Sequence, residues 1–114
     1  MSSKQLQHFF KNVIVCLGYY DWKLNFCRDY YCWINKKRID ININYPGDVR
    51  QIILHEIAHI DSARFCNNRH NITFWKRLEY LTQKFLKTGL DHRQQKHKNY
   101  SCNLGFYKLC YDNK

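Results

Sequence analysis

At 114 residues, 45% hydrophobic and 17% aromatic, the chain has the apolar mass for one domain with its own core. No run approaches the roughly 20 consecutive apolar residues of a membrane span. The opening run Val13-Ile14-Val15-Cys16-Leu17 is short, preceded by polar residues and without a small-residue cleavage pattern, so it does not read as a secretory signal. The expectation is an intracellular domain, cytoplasmic or nuclear, whose six cysteines (Cys16, Cys27, Cys32, Cys66, Cys102 and Cys110) are reduced and in several cases buried as small apolar groups. Nineteen Lys and Arg against nine Asp and Glu give a formal charge of +10, which calls for an anionic partner, nucleic acid being the commonest.

Taken in order, residues 3–17 predict a helix. Ser3 is placed to cap it, and Leu6, Phe9, Phe10, Val13, Ile14 and Leu17 make one apolar stripe that Gly18 ends. His8 reads as a surface histidine. The period then changes. Residues 20–27 and 30–34 are rich in aromatic and β-branched types, and 38–44 alternate strictly. That pattern predicts a small antiparallel three-stranded sheet with Ile39, Ile41 and Ile43 turned to the core and Arg38, Asp40, Asn42 and Asn44 turned away. Its last strand is either the third strand of a meander or an edge on which an extended peptide could pair.

After the turn signal Tyr45-Pro46-Gly47, Asp48 is a fitting N-cap for an amphipathic helix over 48–65. A polar loop follows, then a second amphipathic helix over 72–88 with Phe74, Trp75, Leu78, Leu81 and Phe85 on its apolar face and Gly89 as its terminating residue. Residues 90–114 are basic, then aromatic and cysteine-bearing, and predict an irregular tail. The whole reads as a single α+β domain with its core over about 20–88. It has an N-terminal helix, the sheet, and the helix over 48–65 packed by a second helix.

The chemistry lies in His55-Glu56-Ile57-Ala58-His59. Two histidines four apart on a helix stand about 40° apart around the axis and one turn up, so both imidazoles reach one metal ion. The glutamate between them is placed to move a proton of the attacking water instead of ligating. The bland alternative is a solvated helix face that happens to carry these types, but the chain has only two Glu and one sits here. A catalytic zinc takes three protein ligands and leaves one position open. Two residues compete for the third place. Glu79 stands twenty after His59, the spacing of thermolysin-like enzymes, yet lies roughly 130° from its helix's apolar face. His70, eleven after His59 and at the helix entrance, has no such conflict and is preferred.

The motif, followed by His70-Asn71-Ile72-Thr73-Phe74-Trp75-Lys76-Arg77-Leu78, resembles the SprT-like metallopeptidase domain and, more generally, the YgjP-type and WLM-type zinc peptidases. The resemblance covers about 30–88, with a weaker echo in Lys96-His97-Lys98-Asn99-Tyr100-Ser101-Cys102. Two departures stand out: Asn71 replaces the usual glycine after the third histidine, and no C-x-x-C pair supplies the C-terminal zinc ribbon. The resemblance implies one Zn²⁺, a protein or peptide substrate and an association with proteins crosslinked to DNA.

The reading is therefore a zinc endopeptidase with His55, His59 and His70 as ligands, Glu56 as general base, and a second donor to the oxyanion drawn from Tyr100, His92, His97 or an Arg. One rival is a small basic nucleic-acid- or protein-binding domain whose zinc is structural, closed by a fourth ligand such as Cys66. The other is a metal-free domain whose histidines are satisfied by hydrogen bonds.

Overall fold

The computed structural model describes residues 1–27, 33–35, 37–66 and 70–103, without the side chains of 33–35, 63–66, 102 and 103. Parts of the expected strand at 30–34, of the loop after the motif helix and all of the chain from 104 lie outside these residues, as do the side chains of Cys32, Cys66, Cys102 and Cys110. In chain order the elements are α1 (Ser3–Leu17), β1 (Lys23–Cys27), β2 (Trp33–Asn35), β3 (Arg38–Asn42), α2 (Val49–Cys66), α3 (Ile72–Leu86) and α4 (His92–Asn103). The chain divides into two units, Met1–Glu56 and Ile57–Lys114, and the division falls inside α2. Among the described residues no helix is long and apolar enough to cross a membrane.

In the first unit, α1 covers Ser3–Leu17, the span the sequence suggested, but Ser2 and not Ser3 caps it. Ser2 is the N-cap: its hydroxyl accepts from the Gln5 backbone N–H, and the Gln5 side chain returns to the Ser2 N–H, a reciprocal capping box. The helix ends as expected at Gly18, whose φ of 87° suits glycine, with the Tyr19 N–H closing onto the Ile14 carbonyl. Of its stripe, Leu6, Phe10, Val13 and Ile14 are buried, whereas Phe9 and Leu17 are half-buried.

The sheet departs from the expected antiparallel one. Its order is β1-β3-β2, with β1 parallel to β3 and β2 antiparallel to it. Period-two alternation identifies a strand but carries no information about direction or neighbours. Here the β2–β3 hairpin turns through Lys37 in the left-handed region (φ 61°), and β1 takes the other flank of β3 in the register Asn25↔Asp40. That register lets the Asn25 amide donate to one Asp40 oxygen at 2.8 Å, while Arg38 donates to the other at 3.2 Å. Asp40 is therefore buried like Ile39 and Ile41, and not turned to solvent as its place in the alternation implied. Since β3 is flanked on both sides, it is not an edge for peptide pairing.

Helix α2 begins where Asp48 predicts: its carboxylate accepts from the Arg50 backbone N–H at 2.9 Å and holds the Arg50 guanidinium as well. The hydrogen bond from Arg50 keeps the Asp48 carboxyl below its ordinary pKa.

In the second unit, α3 is capped by the buried Asn71, whose side-chain oxygen accepts from the Phe74 N–H at 3.1 Å. It stops at Leu86, with Lys87 (φ 59°) as the left-handed residue in place of the expected Gly89. Phe74, Trp75, Leu78 and Leu81 are buried as the stripe predicted, whereas Phe85 is only partly covered. The expected irregular tail is corrected over 92–103, which form α4. Asp91 starts it, accepting from the Gln94 N–H through its side chain and from the Gln95 N–H through its carbonyl.

Candidate metal centre

The sequence motif needs a helix and the structure provides one, but not an amphipathic one. In α2 the apolar Ile53, Leu54, Ile57 and Ala58 are buried, and so is the polar row Gln51, His55, Glu56, His59 and Ser62. His55, Glu56 and His59 are only 5%, 6% and 7% exposed, which rules out the solvated-face alternative. None of its described side chains, from Val49 to Ser62, is exposed, so an apolar stripe is not what distinguishes its faces.

His70, the residue just before the α3 cap, completes a group with His55 and His59: one ligand atom from each lies within 4.8 Å of the others. The Nε2 atoms of His59 and His70 are 3.0 Å apart. Two nitrogens on one zinc at ordinary bond lengths and tetrahedral angles stand about 3.3 Å apart, so these rings need only a few tenths of an ångström to share an ion. The donor set fits a metal: three imidazoles converge, and burial holds those of His59 and His70 neutral, the form that ligates. The group can hold a metal ion.

The elements around it fix the two histidines of the second unit. Phe74 stacks on the His59 ring at 4.3 Å between centroids and meets His70 edge-on at 4.9 Å. The Trp75 indole N–H donates to the His70 carbonyl at 3.1 Å, tying the last residue before the helix to the helix's first turn. Arg77 on α3 pairs with Asp61 on α2, so a charge pair supports the same contact that the rings make. His97 on α4 lies edge-on to His70 with centroids 4.3 Å apart, and against Trp75 at 5.2 Å.

The other sequence candidates fall elsewhere. Glu79, the competing ligand, is exposed and pairs with Lys98 of α4 at 3.0 Å, outside the histidine group. Its angle from the apolar face had pointed that way. His8 and His92 are exposed, and Tyr100 is largely so. Of the oxyanion-donor candidates His92, His97 and Tyr100, the structure brings only His97 against a ligand. Composition gave no means of choosing it. The signal that was present is the Asp91-x-x-Gln94 start of a helix, which places Gln94, His97 and Ser101 on one side at helical spacing.

Burial also sets the protonation of the site. Glu56 is pushed up to about 7. His59 is pulled down to about 4, by burial first and the neighbouring His97 second, and His70 to about 3, by burial, then His59, then His97. His97 itself is lowered by burial.

No family model, curated protein or solved structure matches the chain. The functional reading therefore rests on these residues and their arrangement.

Two measurements check this arrangement. Trp75→Phe keeps the ring and loses the indole donor, and is expected to weaken metal affinity about tenfold, as loss of a group that orients a ligand does; competition with a chromophoric chelator reads it, and unchanged affinity would remove Trp75 from the support of His70. The second concerns the metal-free chain. Glu56 has an unfolded value of 4.5 and a folded value of about 7. As pH rises through this window the unfolded state releases a proton that the folded state keeps, which costs stability, on the order of 3 kcal/mol at its upper bound. The histidines act in the opposite sense: below 6.5 the unfolded chain binds protons that folded His59 and His70 refuse, so stability falls on acidification. Urea unfolding in chelator should thus show Glu56→Gln more stable than wild type at pH 8, with the gap closing towards pH 4.5. Equal stabilities at pH 8 would contradict the burial cost assigned to Glu56.

Proposed function

We propose that the chain is a zinc-dependent endopeptidase of the SprT-like type, with His55, His59 and His70 as ligands and Glu56 as general base. The observation that carries this reading is the convergence of three imidazoles beside a buried glutamate on one helix. Bound there, zinc supplies Lewis acidity, which lowers the pKa of a water towards neutrality and polarises a carbonyl. Glu56 does the proton work. Buried between the two helix histidines, it is placed to accept the attacking water's proton and return it to the leaving amine. Neutral imidazole still offers one N–H, and His97, held against His70 by α4, donates it to the carbonyl oxygen as charge develops there. Among the described residues the metal group has three members, in keeping with an open catalytic position. The rival closed site depends on Cys66, whose side chain lies outside the described residues.

The substrate class comes from the resemblance and the charge together: proteins associated with DNA, approached by a domain of formal charge +10. Glu56→Gln should retain stoichiometric zinc and lose at least about a hundredfold in the rate of protein cleavage. His97→Ala should lower kcat by about 10²-fold with zinc content and KM little changed, and His97→Gln, which keeps a donor, should recover part of it. Cleavage by Glu56→Gln at the wild-type rate would overturn the base assignment. Loss of zinc from His97→Ala in proportion to its activity would make that residue a support of the ligands and not a donor to the substrate.

A further inference from the structure

In the unit Met1–Glu56, a groove of about 450 Å³ runs between α1 and β1. It is a built feature, because the Gln7 side-chain amide on α1 donates to the Leu24 carbonyl on β1 at 2.9 Å. Its floor is apolar, made by the buried Phe10 and Leu24. Its rim combines two kinds of group: the exposed ammonium side chains of Lys11 and Lys23, and the rings of Tyr20 and Trp22. Tyr20 is 73% exposed, so its ring is open to a ligand from solvent. None of the lining residues is acidic. Asp21, between the two aromatics in sequence, is engaged by Lys37.

The geometry points to single-stranded nucleic acid as the ligand of this groove, with bases against Tyr20 and Trp22 and their phosphates on Lys11 and Lys23. Aromatic faces beside a cationic track are how sequence-tolerant single-strand sites work, since every base has a π-face and every nucleotide a charge. A duplex keeps its bases stacked and offers these rings nothing. A second copy of the chain would bring another +10 and be repelled. An acidic peptide would satisfy the lysines but not the rings. Of the other exposed tyrosines among the described residues, Tyr80 already has Arg77 over its ring at 4.7 Å and Lys84 at 5.7 Å, and Tyr100 lies on α4, outside this groove. The inference gives the nucleic-acid association of the proposed function a location, but needs neither metal nor peptidase activity.

The test is fluorescence anisotropy of a labelled oligothymidylate of about ten nucleotides with the full chain across a salt series. Wild type and Glu56→Gln should bind alike, with Trp fluorescence quenched. Lys11→Glu with Lys23→Glu should weaken binding at least tenfold and reduce the slope of log affinity against log salt by about 1.4, two phosphate contacts' worth. Tyr20→Ala, at an exposed position that leaves the fold intact, should weaken binding about tenfold without changing that slope. Trp22→Phe should remove the part of the quench that comes from this groove. Zinc content and peptide cleavage in the groove variants should stay at wild-type levels, so failure of the peptidase reading and failure of this one appear in different columns. Equal binding of oligouridylate keeps the single-strand site. Wild-type affinity in the groove variants, loss only when Arg93 and Lys96 of α4 are reversed, equal affinity for duplex with Tyr20→Ala silent, or no binding at low salt would each overturn it.

Discussion

The structure depends on burying a polar row along α2. Placing two histidines and a glutamate out of water is costly unless each polar group is matched, by hydrogen bonds or by an ion. The elements around the row reflect that demand. Asn71 caps α3 at the residue after His70, Trp75 holds the His70 carbonyl, and Phe74 lies flat on His59. The same desolvation that makes the row expensive keeps His59 and His70 neutral and able to ligate, and raises Glu56 to about 7.

Helix α4 adds a third layer to this reasoning. Its inward residues are Gln94, His97 and Ser101, polar throughout, and Lys98 reaches Glu79 on α3. The helix docks through polar groups and adds little to the apolar core, and His97 is the residue by which it meets His70.

Much of the site was legible because its spacing is rigid. Four residues on a helix fix His55 relative to His59, and an exposed angle on α3 set Glu79 aside in favour of His70. The stripes of α1 and α3 were equally readable, since an apolar row at 3.6-residue spacing has one meaning. Three features were not. The sheet's order needs the partner of each strand, and alternation at 38–44 says nothing about β1 lying parallel to β3. The burial of Asp40 depends on that unseen pairing with Asn25. Helix α4 escaped because its buried row carries no apolar period, and only the Asp91 cap betrayed it. The end of α3 differed for a local reason: Lys87 adopted the left-handed conformation two residues before the glycine that seemed made for it.

The most direct test of the central claim is X-ray absorption at the zinc edge on the purified, metal-loaded chain, together with its metal stoichiometry. The account predicts one zinc with about three imidazole nitrogens at roughly 2.0 Å, one further light-atom ligand and no sulfur. A shell at roughly 2.3 Å, the distance of a thiolate such as that of Cys66, or a chain that takes up no metal, would contradict it.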